Sequence, residues 1–495
     1  MALAAIGNAD AQALYRLTEH PLAAVRMAVL LALRRMKDPH VATFLSDPQS
    51  ELGTEAARAI YDTPIREAWP ILAQEVNNVS RSELILRRAL VANYRLGTPE
   101  HADAVARFAA NPSASEALRL EAIGLLSTWS NPEQRDPLLG YWWPLEPRKE
   151  EIAAGAVRKN LPGLLAAPPA VRTAALDLAA ELGIAEAAEG LLATFRDREA
   201  DSTQRGQALR ALAALETGEL ESLIEAGLAD RQAAVRITAR ALLAARDPQA
   251  ALVAAREALH GSEIPEQQAA FDLLASLPES PQRTALLRDG LERLGAGSLP
   301  AELELELLAA AGKCTDPELD EQLAGYRAAQ TAQGTVDTYR DTLAGGDPAR
   351  GRALFFYQTE LACLRCHKVE GQGGTVGPDL SKIDSKKTRE YLLESILFPS
   401  AQIDERYASY EIETSDGKLV TGLKVSDGPR GVELLQADGR RILVPQQDIE
   451  SIRVIRQSAM PEGVAEKLSR RQLRDLVAFL ASLRAGAPEQ SSVQP

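Results

Sequence analysis

From about residue 8 to about residue 325, apolar positions recur at i, i+3, i+4 and i+7, broken by short turns rich in Pro, Asp and Asn. That period predicts a succession of amphipathic helices. A typical stretch runs Pro21-Leu22-Ala23-Ala24-Val25-Arg26 into Ala28-Val29-Leu30-Leu31-Ala32-Leu33, and another runs Asp230 to Arg236 into Ala239–Leu243. A basic or polar residue sits at an equivalent early position in each: Arg26, Arg58, Arg87, Arg119, Arg172, Arg205, Arg236, Gln268 and Glu304. Their spacings are 32, 29, 32, 53, 33, 31, 32 and 36 residues, and a period of this length marks a repeat array. A lone helix pair could not bury its apolar stripe, so neighbouring pairs must stack into an α-solenoid. The irregular spacing holds Gly140-Tyr141-Trp142-Trp143-Pro144, which can be read as a docking surface or as a plug between repeats.

The period dissolves at Gln333-Gly334-Thr335 and Gly345-Gly346-Asp347-Pro348, so 333–347 reads as a linker between an array at 1–332 and a second domain at 348–485. Residues 348 to about 400 have a helical pattern with glycine loops, about 405–457 alternate as strands, and about 466–484 return to helix. Four strand-like runs, Tyr410–Thr414, Leu419–Leu423, Gly431–Leu435 and Arg441–Val444, are separated by Asp416-Gly417, Asp427-Gly428 and Asp438-Gly439. These are hairpin signals, and they predict a small antiparallel β-barrel of four or five strands. Ser469 is placed to cap the last helix. Residues 486–495 read as a disordered tail.

Composition narrows the function classes. The net charge is −14, and residues 345–495 are neutral with 21 basic and 21 acidic side chains, so the array carries the whole deficit. This balance disfavours nucleic acid and anionic membranes as partners. Three cysteines are too few for a disulfide framework, and no apolar run is long enough for an integral membrane segment.

The chemistry concentrates in Cys363-Leu364-Arg365-Cys366-His367. Cys-x-x-Cys-His is the attachment signature of a c-type haem: the thiols add to the porphyrin vinyl groups and the histidine ligates iron. A zinc half-site would need further ligands, and the other four histidines, His20, His40, His101 and His260, all lie in the array. A thioredoxin-type pair would want a strand-turn-helix context and does not require the histidine. Gly351 and Phe355 fit a helix that approaches another closely. Pro378, in Gly377-Pro378-Asp379-Leu380, offers a carbonyl suited to accept the His367 Nδ1–H and fix its tautomer. Met460, in Ala459-Met460-Pro461-Glu462-Gly463, is the only methionine beyond residue 36 and the candidate sixth ligand. Its alternative is an ordinary core residue. Gly371-Gln372-Gly373-Gly374 lacks the Lys-Ser/Thr of a phosphate loop and reads as a chain reversal at the haem edge. Cys314 reads as an inert thiol, and Lys382, Lys386 and Lys387 as a solvated turn or a weak steering patch for an acidic partner.

Residues 345–485 resemble a class I cytochrome c, through the Gly-x-x-x-Phe helix, Cys-x-x-Cys-His, Gly-Pro-x-Leu, the Met-Pro loop and an aromatic-bearing last helix. More closely they resemble the haem-binding domain of large Planctomycetes–Verrucomicrobia proteins. That likeness runs through Gly373–Leu380, Tyr391–Leu397, Pro399-Ser400 and the Met-Pro-Glu-Gly loop. The array units resemble HEAT repeats. Such proteins often carry a sugar-dehydrogenase-like propeller ahead of these parts, and none is visible here. The chain also departs from an ordinary cytochrome in that Met460 follows His367 by 93 residues, an interval lengthened by the strand-rich insertion.

The expected fold is therefore mainly α, a HEAT-like α-solenoid followed by a cytochrome c-like domain with a β insertion. One covalent haem c, held by Cys363, Cys366, His367, Pro378 and Met460, would relay single electrons. The array would position a redox partner, either a dehydrogenase donor or a cytochrome acceptor. Because c-type haem is attached after export, a periplasmic location is expected, with the export signal removed or truncated. Two alternatives stand beside this: a binding scaffold with a structural or sensory haem, and a haem enzyme whose methionine dissociates.

Overall fold

A computed structural model describes residues 11–216, 218–384 and 386–483. The tail expected at 486–495 lies outside the described residues. The protein is mainly helical with a small β region. It divides after Leu242 into two compact units.

In the first unit, amphipathic helices such as Ala23–Met36, Ser50–Asp62, Glu83–Leu96 and Pro169–Glu181 share one continuous apolar core. The regularly spaced polar residues each fall in a different helix, and some of them satisfy groups at helix ends and turns. The last carbonyls of a helix have no partner within it. Arg119 Nε donates to Ala109 O at 2.7 Å and Arg205 Nε to Phe195 O at 2.9 Å, closing the ends of helices Pro99–Ala110 and Ala188–Arg196. Arg26 and Arg205 also grip Asp47 and Asp230 in the following turns.

The segment at the irregular spacing separates its two tryptophans. Trp143 lies over Arg95, 3.6 Å from the guanidinium to the ring centre, and packs at an angle to Trp69 and Tyr61. Arg95 in turn pairs with Asp136 at 2.7 Å, fully buried, and Tyr61 donates its hydroxyl to the same carboxylate. Burial pushes the Asp136 carboxyl up, but the hydrogen bonds from Tyr61, the Leu139 N–H and Arg95 outweigh it and hold its pKa below the ordinary value. Trp142 points outward and is 68% exposed.

The second unit holds two helical cores. One gathers Phe271, Leu287, Leu307 and Leu319 from helices between Pro248 and Gln333. The other gathers Phe355, Leu393, Leu476, Val477 and Phe479 from helices Pro348–Tyr357, Arg389–Leu397 and Arg470–Ser482. Ser469 caps the last of these, accepting from the Gln472 N–H in a complete capping box. Gly351 is where the first and last of the three meet: a Cβ there would lie 1.9 Å from Asp475 O. Phe355 and Phe479 pack at an angle beside it, ring centres 5.6 Å apart.

The stretch 333–347 is not free chain. It contains a 3-10 turn, Asp337–Thr342, in which Asp341 and Thr342 are buried, and Gly346 rests on the backbone of Arg474. The seam between the two cores is polar. Arg474 forms two hydrogen bonds to Glu306, at 2.8 and 2.9 Å, with both side chains buried. Arg471 pairs with Asp272, Arg470 pairs with Asp341, and Gln268 donates to the Glu302 and Gly345 carbonyls.

Among the described residues, seven short strands follow His367: β1 Lys368–Val369, β2 Gln372–Gly373, β3 Ser409–Thr414, β4 Leu419–Gly428, β5 Gly431–Leu435, β6 Arg441–Pro445 and β7 Ile449–Ile455. The last five form one antiparallel sheet in the order β6-β5-β4-β3-β7, with β6 and β7 at its edges. Closure into a barrel would require those two edges to pair. Asp427-Gly428 lies at the end of β4, and the chain turns at Pro429-Arg430 instead, because a register shift between Lys424 and Ser426 lengthens the strand.

Candidate haem-attachment site

The attachment pentapeptide is preceded by a residue with left-handed backbone, Ala362 (φ +50°), and opens with a single helical turn, Cys363–Cys366. One turn puts positions i and i+3 on the same side. Both thiols are free and half-buried. Burial pushes the Cys363 thiol up to about 11 and raises Cys366 as well.

His367 leaves the turn in extended conformation. Its Nδ1 lies 3.1 Å from the Pro378 carbonyl oxygen, and Nε2 takes part in no hydrogen bond among the described residues. Burial lowers the imidazole pKa against the opposing pull of that carbonyl, which favours the neutral ring. Gly377 lies flat against the ring: a Cβ there would stand 2.7 Å from Cε1.

The glycine-rich loop explains how Pro378 returns. β1 and β2 pair through a turn at Glu370 (φ +51°) and Gly371 (φ +82°), the two positive angles of a type I′ hairpin. Gly374 N donates to Leu364 O, Gly377 N to Cys366 O and Leu380 N to Lys368 O, each at 2.8 Å. Side chains at 373 and 374 would collide with the His367 and Arg365 carbonyls at 2.1 Å. The loop is therefore laced to the back of the attachment turn.

Met460 packs at the margin of the core that also takes Cys363, Leu364 and Phe356. Its loop is tied down by Ser458 N to Ser400 Oγ, Met460 N to Ser458 Oγ and Ser400 Oγ to Glu462. The structure thus brings Cys363, Cys366, His367 and Pro378 together and seats Met460 beside the same core. Two free thiols on one turn, and a neutral imidazole with one nitrogen engaged and the other available, fit covalent haem. Cys363 and Cys366 would tether it and His367 would ligate iron. No group of three or more His, Cys, Asp or Glu able to hold a metal ion occurs among the described residues.

Other residues singled out by sequence lie elsewhere. Cys314 is buried beside the Thr284 hydroxyl, and Lys387 sits over the Tyr391 ring. Sequence reasoning missed the packing of Gly377 on the imidazole. It named Ser400 within Pro399-Ser400 but not its bonds to Ser458 and Glu462, for which the hydroxyl carries no local signal.

No curated protein matches the chain. Among solved structures, human deoxyhypusine hydroxylase in complex with glycerol is similar over 47% of this chain and 95% of that one, with 17% identity and a TM-score of 0.22. No helix among the described residues is long and apolar enough to cross a membrane. Residues 348–419 match the Cytochrome c family profile, a stretch that holds Cys363, Cys366, His367 and Pro378 and ends before Met460. That match supports a cytochrome c-like haem-binding domain with a haem-based role in electron transfer.

Proposed function

We propose that the protein is a periplasmic electron carrier. Its C-terminal domain, 348–485, would hold one His/Met-ligated haem c, and its HEAT-like array would position that domain against a redox partner, such as a sugar or alcohol dehydrogenase. When bound, haem supplies a one-electron couple. The protein's residues would do the rest: Cys363 and Cys366 would tether the group, and His367 would present Nε2 to iron. Pro378 would hold the imidazole tautomer through Nδ1–H, and Met460 would supply a soft, neutral thioether as the second protein ligand. His/Met ligation raises the reduction potential and closes iron to small substrates, which favours electron relay over oxygen or peroxide chemistry. The linker expected at 333–347 would then fix the carrier to the last repeats, and the likeness to the Planctomycetes–Verrucomicrobia haem domain supports the choice of partner.

The observation that carries the reading is the 3.1 Å approach of His367 Nδ1 to the Pro378 carbonyl behind a Cys-x-x-Cys turn. The test is a pyridine haemochrome spectrum of protein matured in the periplasm, with the red charge-transfer band that ferric Met-ligated haem gives. One haem per chain and loss of the band in Met460→Ala are expected. A spectrum lacking covalent haem, or a band that survives the substitution, overturns the assignment.

A further inference from the structure

One face of the five-stranded sheet serves its own core, and the other, largely polar, carries an apolar patch. Directly paired residues share a face. Ile412, Val432, Leu434 and Val444 gather on one face into a small buried cluster that the sheet makes by itself. Ser409, Leu423 and Leu435 are register partners across β3, β4 and β5 on the other. Leu423 and Leu435 are buried there against Val376, with Cys366, Tyr407 and Ala459 packed around them. Leu443 lies on this same face of β6 away from that cluster, and it is 51% exposed. Burial on this face is thus confined to the patch that meets a haem-attachment cysteine and the residue preceding Met460.

We infer that Leu423, Leu435 and Val376 form a wall over the Cys366 side of the haem and brace the Met460 loop, so that the β insertion keeps the sixth ligand in place. The inference rests on the haem reading above. It assigns a task to the insertion, which no motif suggested. The loop is also held by the Ser400 hydroxyl, so the wall supplies the apolar part of a clamp whose polar part is Ser400. Apolar burial at the haem edge and restraint of the axial ligand both act on potential and ligand exchange.

The test uses the full-length holoprotein, with ferric imidazole titration and potentiometry. In Leu435→Ala, imidazole is expected to displace methionine about tenfold more readily, as the closed loop loses population, and the potential falls. Leu435→Met, which conserves volume, restores both. Val432→Ala, on the sheet's own core, lowers the unfolding midpoint and leaves imidazole affinity and potential unchanged. Should Leu435→Ala fail to fold, Val376→Ala, outside the sheet, probes the same wall with the same expected result. Covalent haem with unaltered imidazole affinity and potential in both Leu435→Ala and Val376→Ala overturns the wall and leaves the carrier reading intact. Unmutated protein without covalent haem overturns both.

Discussion

Glu306→Ala tests the polar seam of the second unit. Glu306 and Arg474 meet through two hydrogen bonds with side chains 2% and 8% exposed. Neither group can recover hydration locally when its partner is lost. Removing the carboxylate leaves a buried guanidinium, and breaking such a pair costs about 3–5 kcal/mol. Arg471–Asp272, nearby, has both side chains more than 40% exposed and is worth at most about 1 kcal/mol, screened by salt. The buried pair therefore decides the outcome. With a urea m-value of about 2–3 kcal/mol per molar, the midpoint falls by about 1–2.5 M. All four tryptophans precede Leu242, so their fluorescence is the wrong probe. The haem Soret band and far-ultraviolet circular dichroism follow the affected unit. Glu306→Leu with Arg474→Leu should recover most of the loss, since a matched apolar pair often replaces a buried ion pair at little cost. A midpoint shift below about 0.3 M for Glu306→Ala, or a double variant weaker than the sum of the singles, refutes the reasoning.

Two further outcomes follow from the same geometry. Trp143→Ala should destabilise the first unit by roughly 2–3 kcal/mol by removing the ring over Arg95, whereas Trp142→Ala stays within about 0.5 kcal/mol; denaturation followed by circular dichroism separates them. Glu304 is buried, which raises its carboxyl pKa above the ordinary 4.5; Asp341 adds to the rise, while Tyr326, Gln330 and Arg340 oppose it. The folded state therefore holds its proton more tightly than the unfolded chain, and stability falls as pH rises from 4.5 through the raised value. Glu304→Gln keeps an oxygen for both the Tyr326 and Gln330 donors, so it should flatten that fall and raise the urea midpoint at neutral pH. An unchanged pH slope counts against it.

The parts legible in the sequence are those whose cause is local. Cys-x-x-Cys-His spans one turn, Ser469 and Gln472 form a capping box, and alternating residues with Asp-Gly turns announce the hairpins. Where the cause is distant, the signal fails. Glu306 and Arg474 are 168 residues apart, and nothing in either neighbourhood marks them as a pair. The glycine- and aspartate-rich stretch 333–347 has the composition of a linker, yet Asp341 is buried because Arg470, 129 residues on, neutralises it. Trp142 and Trp143 are adjacent in sequence and opposite in environment, a distinction decided by the distant Arg95, Trp69 and Tyr61. The sequence allows four or five strands but marks no run at β7, because an edge strand needs few buried side chains, and only Ile449 and Ile455 are better than exposed.

The register of β3 against β7 has a consequence for how the insertion is carried. Ser409, the first residue of β3, pairs with Ile455, the last of β7. Directly opposed residues in antiparallel strands sit only about 5 Å apart. The excursion therefore returns to its starting point like a parenthesis in a sentence. Measured through space, the path from His367 to Met460 is about half as long as the sequence suggests, and the loop-closure entropy follows the shorter path. A host domain can acquire or shed such a parenthesis with little change in the spatial separation of His367 and Met460, and the Cytochrome c profile runs out at residue 419, within the bracketed text.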